Sequence, residues 1–257
     1  MNDQVGALLS IDHLVKSYYQ FHTEKKILDD VSLHIGEGEI VSIVGPSGCG
    51  KSTLLNIIAG FDRDYRGKVL FNGGPITGPS IERGVIFQNP QLFSWLKIQD
   101  NIAYGLRRNK TEKDLIAAQI NGYLTRMDLL EFRGYYPDQL SGGMQQRVSL
   151  ARVLVMKPKL LLMDEPFSSL DYQSRLRMQG LTLELWEEYK PSIVFITHDI
   201  EEAILVADRV IVLSKLPGKI IQEINVPFRR PRELALIKSI EFNQIKAEIL
   251  DLLVFSE

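Results

Sequence analysis

One glycine-rich loop constrains this 257-residue chain more than any other feature. It lies between the strand-like run EIVSIV and the helix-like run STLLNIIAG and consists of Gly45, Pro46, Ser47, Gly48, Cys49, Gly50, Lys51 and Ser52. This order matches G-x-x-x-x-G-K-[ST], in which glycines let backbone N–H groups face a phosphate and the following helix start adds partial positive charge. Lys51 would reach the β- and γ-phosphates, Ser52 would bind Mg²⁺, and Thr53 could bond the α-phosphate. The alternative is a glycine-rich turn that matches by chance, which the strand–loop–helix context disfavours.

The rest of the chain alternates strand-like and helical patterns, which predicts an α/β fold with a mainly parallel sheet. The strand-like runs are LSIDHLV, EIVSIVG, KVLFN, GVIFQ, KLLLM, SIVFIT and RVIVL. Between Trp95 and Lys157 helical patterns replace them, so we expect a helical insertion in the sheet domain. After Val226, an apolar set with near-helical spacing predicts a short amphipathic C-terminal helix or pair of helices: Leu234, Ile237, Phe242, Ile245, Ile249 and Leu253.

Composition excludes several classes of protein. Lys plus Arg number 30 and Asp plus Glu number 32, so the net charge of -2 lacks the basic excess of a general nucleic-acid binder. The single cysteine, Cys49, rules out an internal disulfide and a multi-cysteine zinc site, which fits a reducing compartment. No uncharged stretch is longer than the one at 84–96, which is far shorter than the ~20 apolar residues of a membrane-spanning helix. No Lys or Arg precedes the first short apolar patch, so we expect no signal peptide.

Two acids, Asp164 and Glu165, end the apolar run KLLLM. Open α/β sheets bind ligands outside the carboxyl ends of their strands. Adjacent residues of an extended chain point in opposite directions, so Asp164 suits Mg²⁺, usually through water, while Glu165 would orient or deprotonate an attacking water. Taken alone, such a strand end is usually only a turn. His198 ends the next apolar strand at the same edge, where a γ-phosphate contact is preferred over a structural role.

A second glycine motif, Ser141-Gly142-Gly143, precedes a helical pattern. Ser141 is a plausible N-cap, and two glycines at a helix start expose N–H groups to an anion. The motif taken alone also fits an ordinary capped loop.

Together with Gln88 and the run Ser168-Ser169-Leu170-Asp171, these motifs resemble the ATP-binding cassette of ABC transporters from about residue 11 to 221. The resemblance implies a P-loop NTPase fold of RecA-like type that binds ATP and Mg²⁺. It assigns catalytic roles to Glu165, His198 and Gln88, Mg²⁺ contacts to Ser52, Gln88 and Asp164, and nucleotide contacts to Ser141, Gly142, Gly143 and Asp171. Tyr18, or its neighbour Tyr19, takes the place of the adenine-stacking aromatic. Met144 departs from the signature, whose usual residue there is Gln.

The resemblance also implies an organisation and partners. The expected parts are a nucleotide-binding core in two segments (1–92 and 158–225), a helical signature subdomain (93–157) and a C-terminal helical extension (226–257). Two cassettes are expected to pair head to tail around ATP at the cytoplasmic face of the membrane. Subfamily features, including LSGGM and Arg230-Pro231-Arg232, resemble importers of nitrate, aliphatic sulfonates or taurine. Such importers use a transmembrane permease subunit and, indirectly, a solute-binding protein. Residues 93–96 either grip the permease or lie in the core.

Three other functions remain open. A soluble ABC ATPase acting on nucleic acid or the ribosome is the main alternative, but it typically carries a long coiled-coil insertion or a second cassette. Here Ser141 follows Lys51 by 90 residues without heptads. A P-loop kinase or GTPase would leave the second glycine motif unused. An exporter ATPase shares every core motif, although most are fused to membrane spans.

Overall fold

The computed structural model describes residues 6–20, 23–109 and 112–255. They form two compact units, the first drawn from residues 1–80 and 190–257 and the second from residues 81–189. The four-part division expected from the sequence stays a prediction. The expectation that no signal peptide is present concerns a segment whose first residues, 1–5, lie outside the described ranges.

The elements alternate as the sequence predicts. In chain order the strands are β1 (Ala7–Gln20), β2 (Thr23–Gly36), β3 (Ile40–Val44), β4 (Arg66–Phe71), β5 (Gly74–Pro75), β6 (Arg83–Ile86), β7 (Leu160–Asp164), β8 (Ser192–Ile196), β9 (Arg209–Leu213) and β10 (Ile220–Asn225). The α-helices are α1 (Lys51–Ala59), α2 (Ile98–Arg108), α3 (Lys113–Arg126), α4 (Gly142–Leu154), α5 (Tyr172–Tyr189), α6 (Ile200–Val206) and α7 (Ile240–Phe255). Every strand-like run of the sequence analysis falls in a strand, while β2, β5 and β10 were not predicted.

The first unit contains two kinds of sheet. Strands β3, β8 and β9 pair in parallel, and β10 adds to β9 in antiparallel fashion. All residues of β3 and β8 are buried, as is usual for strands in the middle of a parallel sheet. A separate antiparallel sheet has the order β2-β1-β4-β5. The runs LSIDHLV and KVLFN therefore belong to this second sheet and not to the parallel one.

The second unit pairs β6 with β7 in parallel and carries α2, α3, α4 and α5. The helical insertion predicted between Trp95 and Lys157 is thus present as α2, α3 and α4. A buried tyrosine connects two of these helices, because the hydroxyl of Tyr123 on α3 donates to the carbonyl of Leu154 on α4 at 2.9 Å.

The C-terminal segment packs on the first unit through fewer residues than the sequence predicts. On α7 only Phe242 and Ile249 of the six predicted apolar positions are buried, whereas Leu234 is 47% exposed on the preceding turn. Leu234 therefore does not belong to an apolar face against the core. Two arginines of this segment instead end α6: Arg232 donates to the carbonyls of Ile204, Leu205 and Ala207, and Arg230 donates to that of Val206.

Candidate nucleotide-binding site

The phosphate loop connects β3 to α1 in the first unit. Lys51 is 7% exposed, and its Nζ donates to the carbonyls of Gly45 at 2.7 Å and Pro46 at 3.0 Å. The ammonium therefore lies across the inside of the loop, held by the two residues at which the loop begins. Ser52 is exposed, Thr53 half-buried, and burial raises the pKa of the Cys49 thiol.

Two glycines of this loop have a backbone that side chains disfavour, with φ of 79° at Gly48 and 107° at Gly50. A Cβ at Gly50 would lie 2.7 Å from Cδ2 of Leu28, so packing requires glycine there. A Cβ at Gly48 would meet nothing within 4 Å, so the loop is open on that side. An open, exposed loop lined by backbone N–H groups at the start of α1 fits a polyphosphate.

Strand register places His198 beside the phosphate loop. Ile43 of β3 pairs with Ile196 of β8 in parallel, and the N–H of Thr197 donates to the carbonyl of Ile43. Gly45 and His198 each follow the paired residue by two positions, so both lie beyond the same edge of the sheet. The side chain of His198 is exposed.

A buried network holds the backbone on both sides of His198. The hydroxyl of Thr197, 2% exposed, donates to the carboxylate of Glu202, and accepts from the N–H of Asp199 at 3.1 Å. The carboxylate of Asp199 caps α6 by accepting from the N–H of Glu202 at 3.2 Å. The sequence analysis missed Thr197 and Glu202. The polar Thr197 at the end of a wholly apolar strand is the signal that could have revealed them.

The second unit brings Gln88, Glu165 and Ser168 together. Ile86 of β6 pairs with Met163 of β7, and Gln88 and Glu165 each follow by two residues. The amide Nε2 of Gln88 lies 3.4 Å from Oε2 of Glu165 and 3.2 Å from Oγ of Ser168. A glutamine that touches the candidate base can position both it and a reacting water.

The backbone of Glu165 differs from the expectation. The sequence analysis treated Asp164 and Glu165 as neighbours on an extended chain, but Glu165 has φ of 45°, which is in the left-handed region. A non-glycine residue there stores strain, of the order of 1–3 kcal/mol, and such residues concentrate at functional sites. The turn at Glu165, rather than strand alternation, therefore sets the direction of its side chain.

Helix α4 begins at Gly142 and is capped by Ser141, whose Oγ accepts from the N–H of Met144 at 3.3 Å. The predicted N-cap is thereby confirmed, and Met144 keeps the backbone contact despite its unusual side chain. Ser141 and Gly142 are exposed, and a Cβ at Gly142 would meet nothing within 4 Å. The helix start is thus accessible to an anion.

Asp171 serves a local structural purpose. Its Oδ1 accepts from the N–H of Ser174 at 3.0 Å at the start of α5. Hydrogen bonds with the side chain of Ser174 and with this N–H hold the pKa of the carboxyl below its usual value. Its contact with nucleotide stays a prediction.

Tyr18 and Tyr19 differ in how they are held. The Tyr18 hydroxyl donates to Oδ2 of Asp62 at 3.0 Å, and its side chain is 45% exposed. Tyr19 is 76% exposed. A fixed, half-exposed ring suits base stacking, so the geometry favours Tyr18 for this role.

Trp95 is 72% exposed, so the alternative that places it in the core is wrong. Phe93 is half-buried, with its ring centroid 5.4 Å from that of Trp95 and 4.6 Å from that of Tyr104. Beside them lies a groove of about 400 Å³, lined by Ile81, Gly84, Gln91, Phe93, Tyr104, Gly105, Arg152, Val153 and Met156. Residues 93–96 and this groove form one largely apolar surface of the second unit, which we call the Trp95 surface.

Among the described residues, no group of three His, Cys, Asp or Glu side chains could hold a metal ion by itself. Mg²⁺ does not need such a group, because it is commonly bound through one or two carboxylates, waters and substrate phosphates. The oxygen donors of Ser52, Asp164 and Gln88 fit this hard cation in their chemistry.

The glycine-rich phosphate loop lies between a buried parallel strand and a helix, and a histidine lies beyond the neighbouring strand. These features define a P-loop nucleotide-binding protein of the α/β class. The additional capped Gly-Gly helix start and the Gln88–Glu165 contact distinguish it from a plain P-loop kinase. A family model described as ABC transporter matches residues 28–168, more than half of the chain. The chain belongs to the ABC transporter family.

Individual relatives agree with this assignment. The chain is 46% identical over 201 residues to the taurine import ATP-binding protein TauB of Pelagibacter ubique, spanning 78% of this chain and 76% of that protein. It is 39% identical over 245 residues to the aliphatic sulfonates import ATP-binding protein SsuB of Bacillus cereus, spanning 94% of each. A solved dimer of an ATP-binding cassette in a post-hydrolysis state, bound to ADP and Pi, matches with a TM-score of 0.77 and 31% identity, covering 86% of this chain and 100% of that one. The fold class and the ATPase class expected from the sequence are confirmed.

Proposed function

We propose that the protein is the ATP-hydrolysing subunit of an importer for a small anionic or zwitterionic solute, such as a sulfonate, taurine or nitrate. The contact of Gln88 with Glu165 at 3.4 Å carries the hydrolytic part of the proposal, because it joins a polar positioning group to a candidate general base beyond parallel strands. The names of the relatives, which describe taurine and aliphatic sulfonate import, favour import over a function on nucleic acid or the ribosome.

In the proposed reaction, Lys51 exchanges its contacts with Gly45 and Pro46 for the β- and γ-phosphates of ATP. Mg²⁺, when bound, would neutralise phosphate charge during transfer. Ser52, Asp164 and Gln88 would hold it. Glu165 orients and deprotonates the attacking water, and the exposed His198 contacts the γ-phosphate.

Two copies of the chain close around the nucleotide. Each chain has one phosphate loop and, in addition, one exposed helix start at Ser141 and Gly142. Each copy therefore has a second anion-binding feature besides its own phosphate loop. We assign it to the γ-phosphate held by Lys51 of the partner subunit, with Gly143 and Asp171 nearby. The dimeric cassette bound to ADP and Pi supports this arrangement. Hydrolysis removes the bridging γ-phosphate and releases the pair.

The Trp95 surface is the proposed contact with a transmembrane permease. No helix among the described residues is both long and apolar enough to cross a bilayer. An exposed tryptophan beside an apolar groove is typical of protein interfaces. The chain would then lie at the cytoplasmic face of the membrane, and a solute-binding protein would act through the permease.

Substitution of Glu165 tests the shared-site mechanism. Glu165→Gln keeps the shape of the side chain and one acceptor oxygen for Gln88 but removes the base. We expect ATP binding to persist, steady-state hydrolysis to fall at least about a hundredfold, and an ATP-bound dimer to accumulate in gel filtration. A variant that stays monomeric at saturating ATP would contradict the mechanism.

Lys51→Ala tests the phosphate loop itself. We expect titration calorimetry to show weaker ATP binding, by about tenfold or more, because the charged contacts to phosphate are lost. Gly134→Ala, in open space in the second unit, is the control. Unchanged affinity in Lys51→Ala would refute the assignment.

A further inference from the structure

The ring of Tyr18 is anchored by a buried ion pair. Lys16 is 2% exposed, and its Nζ donates to Oδ1 of Asp62 at 3.0 Å and to the carbonyl of Asp64. The other oxygen of the same carboxylate, Oδ2 of Asp62, accepts from the Tyr18 hydroxyl at 3.0 Å. One carboxylate therefore fixes both a buried cation and the tip of an exposed aromatic ring.

The cation also contacts the ring directly. Nζ of Lys16 lies 4.6 Å from the centroid of the Tyr18 ring, within the range of a cation–π contact. Burial lowers the pKa of Lys16, but the hydrogen bond and charge of Asp62 outweigh it and raise the pKa above its usual value. The ammonium is consequently charged at neutral pH and covers one side of the ring.

The hydroxyl of Tyr18 further connects to the phosphate loop. Burial and the bond to Asp62 raise the pKa of Tyr18, while a hydrogen bond with Thr53 acts in the opposite direction. Thr53 lies in the first turn of α1, directly after Lys51 and Ser52. The ring is thus also in contact with the helix that starts at the phosphate loop.

We propose that Lys16 and Asp62 are positioning residues for the nucleotide base, which fix the plane of the Tyr18 ring and leave its other face for stacking. This inference rests on the proposed binding of ATP, with Tyr18, which the geometry favours over Tyr19, stacking on adenine. A ring held in place before binding loses little side-chain freedom when the base arrives, so preorganisation increases affinity. Binding of the phosphates by Lys51 and the phosphate loop would not depend on the Tyr18 ring.

A merely structural ion pair would behave differently. Buried ion pairs often add little net stability because desolvation offsets their attraction. A structural role would also affect every ligand equally, since it acts through the fold. A positioning role affects only ligands that carry a base.

The experiment compares ATP with inorganic tripolyphosphate, which has the phosphates but no base. Titration calorimetry on the full chain, in EDTA to prevent turnover, gives both dissociation constants. Tyr18→Phe keeps the ring and removes its anchor to Asp62, and Tyr18→Ala removes the ring. Tyr135→Phe is the matched control, because Tyr135 is 44% exposed and belongs to the second unit.

We expect Tyr18→Ala to weaken ATP binding by about tenfold to a hundredfold, the range of one base–aromatic stack. Tyr18→Phe should weaken it by about threefold to tenfold, roughly half of the stacking free energy. Lys16→Met, which keeps the length of the stem, should resemble Tyr18→Phe. Tripolyphosphate affinity should stay at the wild-type value in all three variants, and both ligands should be unaffected in Tyr135→Phe.

The outcomes separate this inference from the proposed function. If Tyr18→Ala weakens ATP binding while Tyr18→Phe and Lys16→Met match wild type, Tyr18 stacks but needs no positioning, and the inference is overturned. If Tyr18→Ala itself binds ATP normally, Tyr18 does not stack on the base and the inference is overturned, while the proposed hydrolysis at Glu165 is unaffected. Equal weakening for ATP and tripolyphosphate would indicate an effect through the fold and would also overturn the inference.

Discussion

Asn101 is the buried side chain on which the shape of the Trp95 surface depends. It is 0% exposed in α2, its Oδ1 accepts from the N–H of Phe93 at 2.8 Å, and its Nδ2 donates to the carbonyls of Phe93 at 3.1 Å and Leu96 at 3.0 Å. One side chain thus supplies hydrogen-bond partners to the backbone of the loop that carries Trp95. Asn101→Ala removes these three bonds and a fourth, from Nδ2 to the carbonyl of Lys97 at 3.3 Å. The N–H of Phe93 and the carbonyl of Leu96 then lose their side-chain partner, whereas the carbonyls of Phe93 and Lys97 keep a backbone donor.

The free-energy cost of Asn101→Ala follows from the number of backbone groups left without a hydrogen-bond partner. A buried polar group without a partner costs about 1–3 kcal/mol, and partial access of water to the loop makes about 2–3 kcal/mol a fair total. Because 1.4 kcal/mol corresponds to a factor of ten, local opening of residues 93–97 should become about thirty to a hundred times more frequent. Amide hydrogen exchange of peptides covering residues 91–97, read by mass spectrometry, measures this directly.

Asn109→Ala is the matched control, because Asn109 is exposed at the end of the same helix. We expect its exchange over residues 91–97 to equal that of the wild type. Exchange in α4 should be unchanged in both variants. Wild-type exchange of the Phe93 amide in Asn101→Ala would refute the reasoning, since this N–H donates directly to the deleted oxygen.

Two further predictions concern the first unit. Gly50→Ala forces a side chain into a backbone with φ of 107° and a contact of 2.7 Å, so thermal melting should show a loss of about 2–4 kcal/mol, while Gly134→Ala should change stability little. Burial tends to raise the pKa of Asp62, but its bond to Lys16 outweighs this and keeps the pKa below its usual value. The wild type should therefore be more stable than Asp62→Asn at pH 7, and this difference should shrink as the pH falls below about 4 and through the lowered pKa. A difference that is constant from pH 7 to pH 3 would count against the ion pair.

The sequence alone predicted the parts of the site that consecutive residues carry. The phosphate loop and the Ser141 cap need only local backbone geometry, which glycine spacing and capping residues encode. The strands β3, β7 and β8 were predicted because each is a short run in which four of the five residues are apolar. Strand β2 was missed because its first four residues, TEKK, are all exposed and mostly charged. Its pairing with β1 stabilises it despite this unfavourable pattern.

Contacts between distant residues could not be read from the sequence. Lys16 and Asp62 are separated by 46 positions, and no periodicity links a strand residue to the loop after α1. The exposure of Trp95 was likewise open, because an aromatic residue at a helix start suits either a core or an interface. Asn101 looks unremarkable in an amphipathic helix, and only the return of the loop at residues 93–97 makes its side chain essential.

The register of the parallel strands determines which candidate site residues lie side by side. In the first unit Gly45 and His198 follow a paired couple of strand residues by two positions, and in the second unit Gln88 and Glu165 follow another couple by the same number. A slip of one residue between β6 and β7 would move Glu165 relative to Gln88 by about 3.3 Å and turn the strand's apolar residues to the opposite face. The buried side chains of β7 make that slip costly, so the same apolar residues that stabilise the sheet also hold Glu165, the proposed base, beside the amide of Gln88. The relative position of the candidate site residues at the strand ends therefore depends on the burial of the apolar residues that precede them in the same strands.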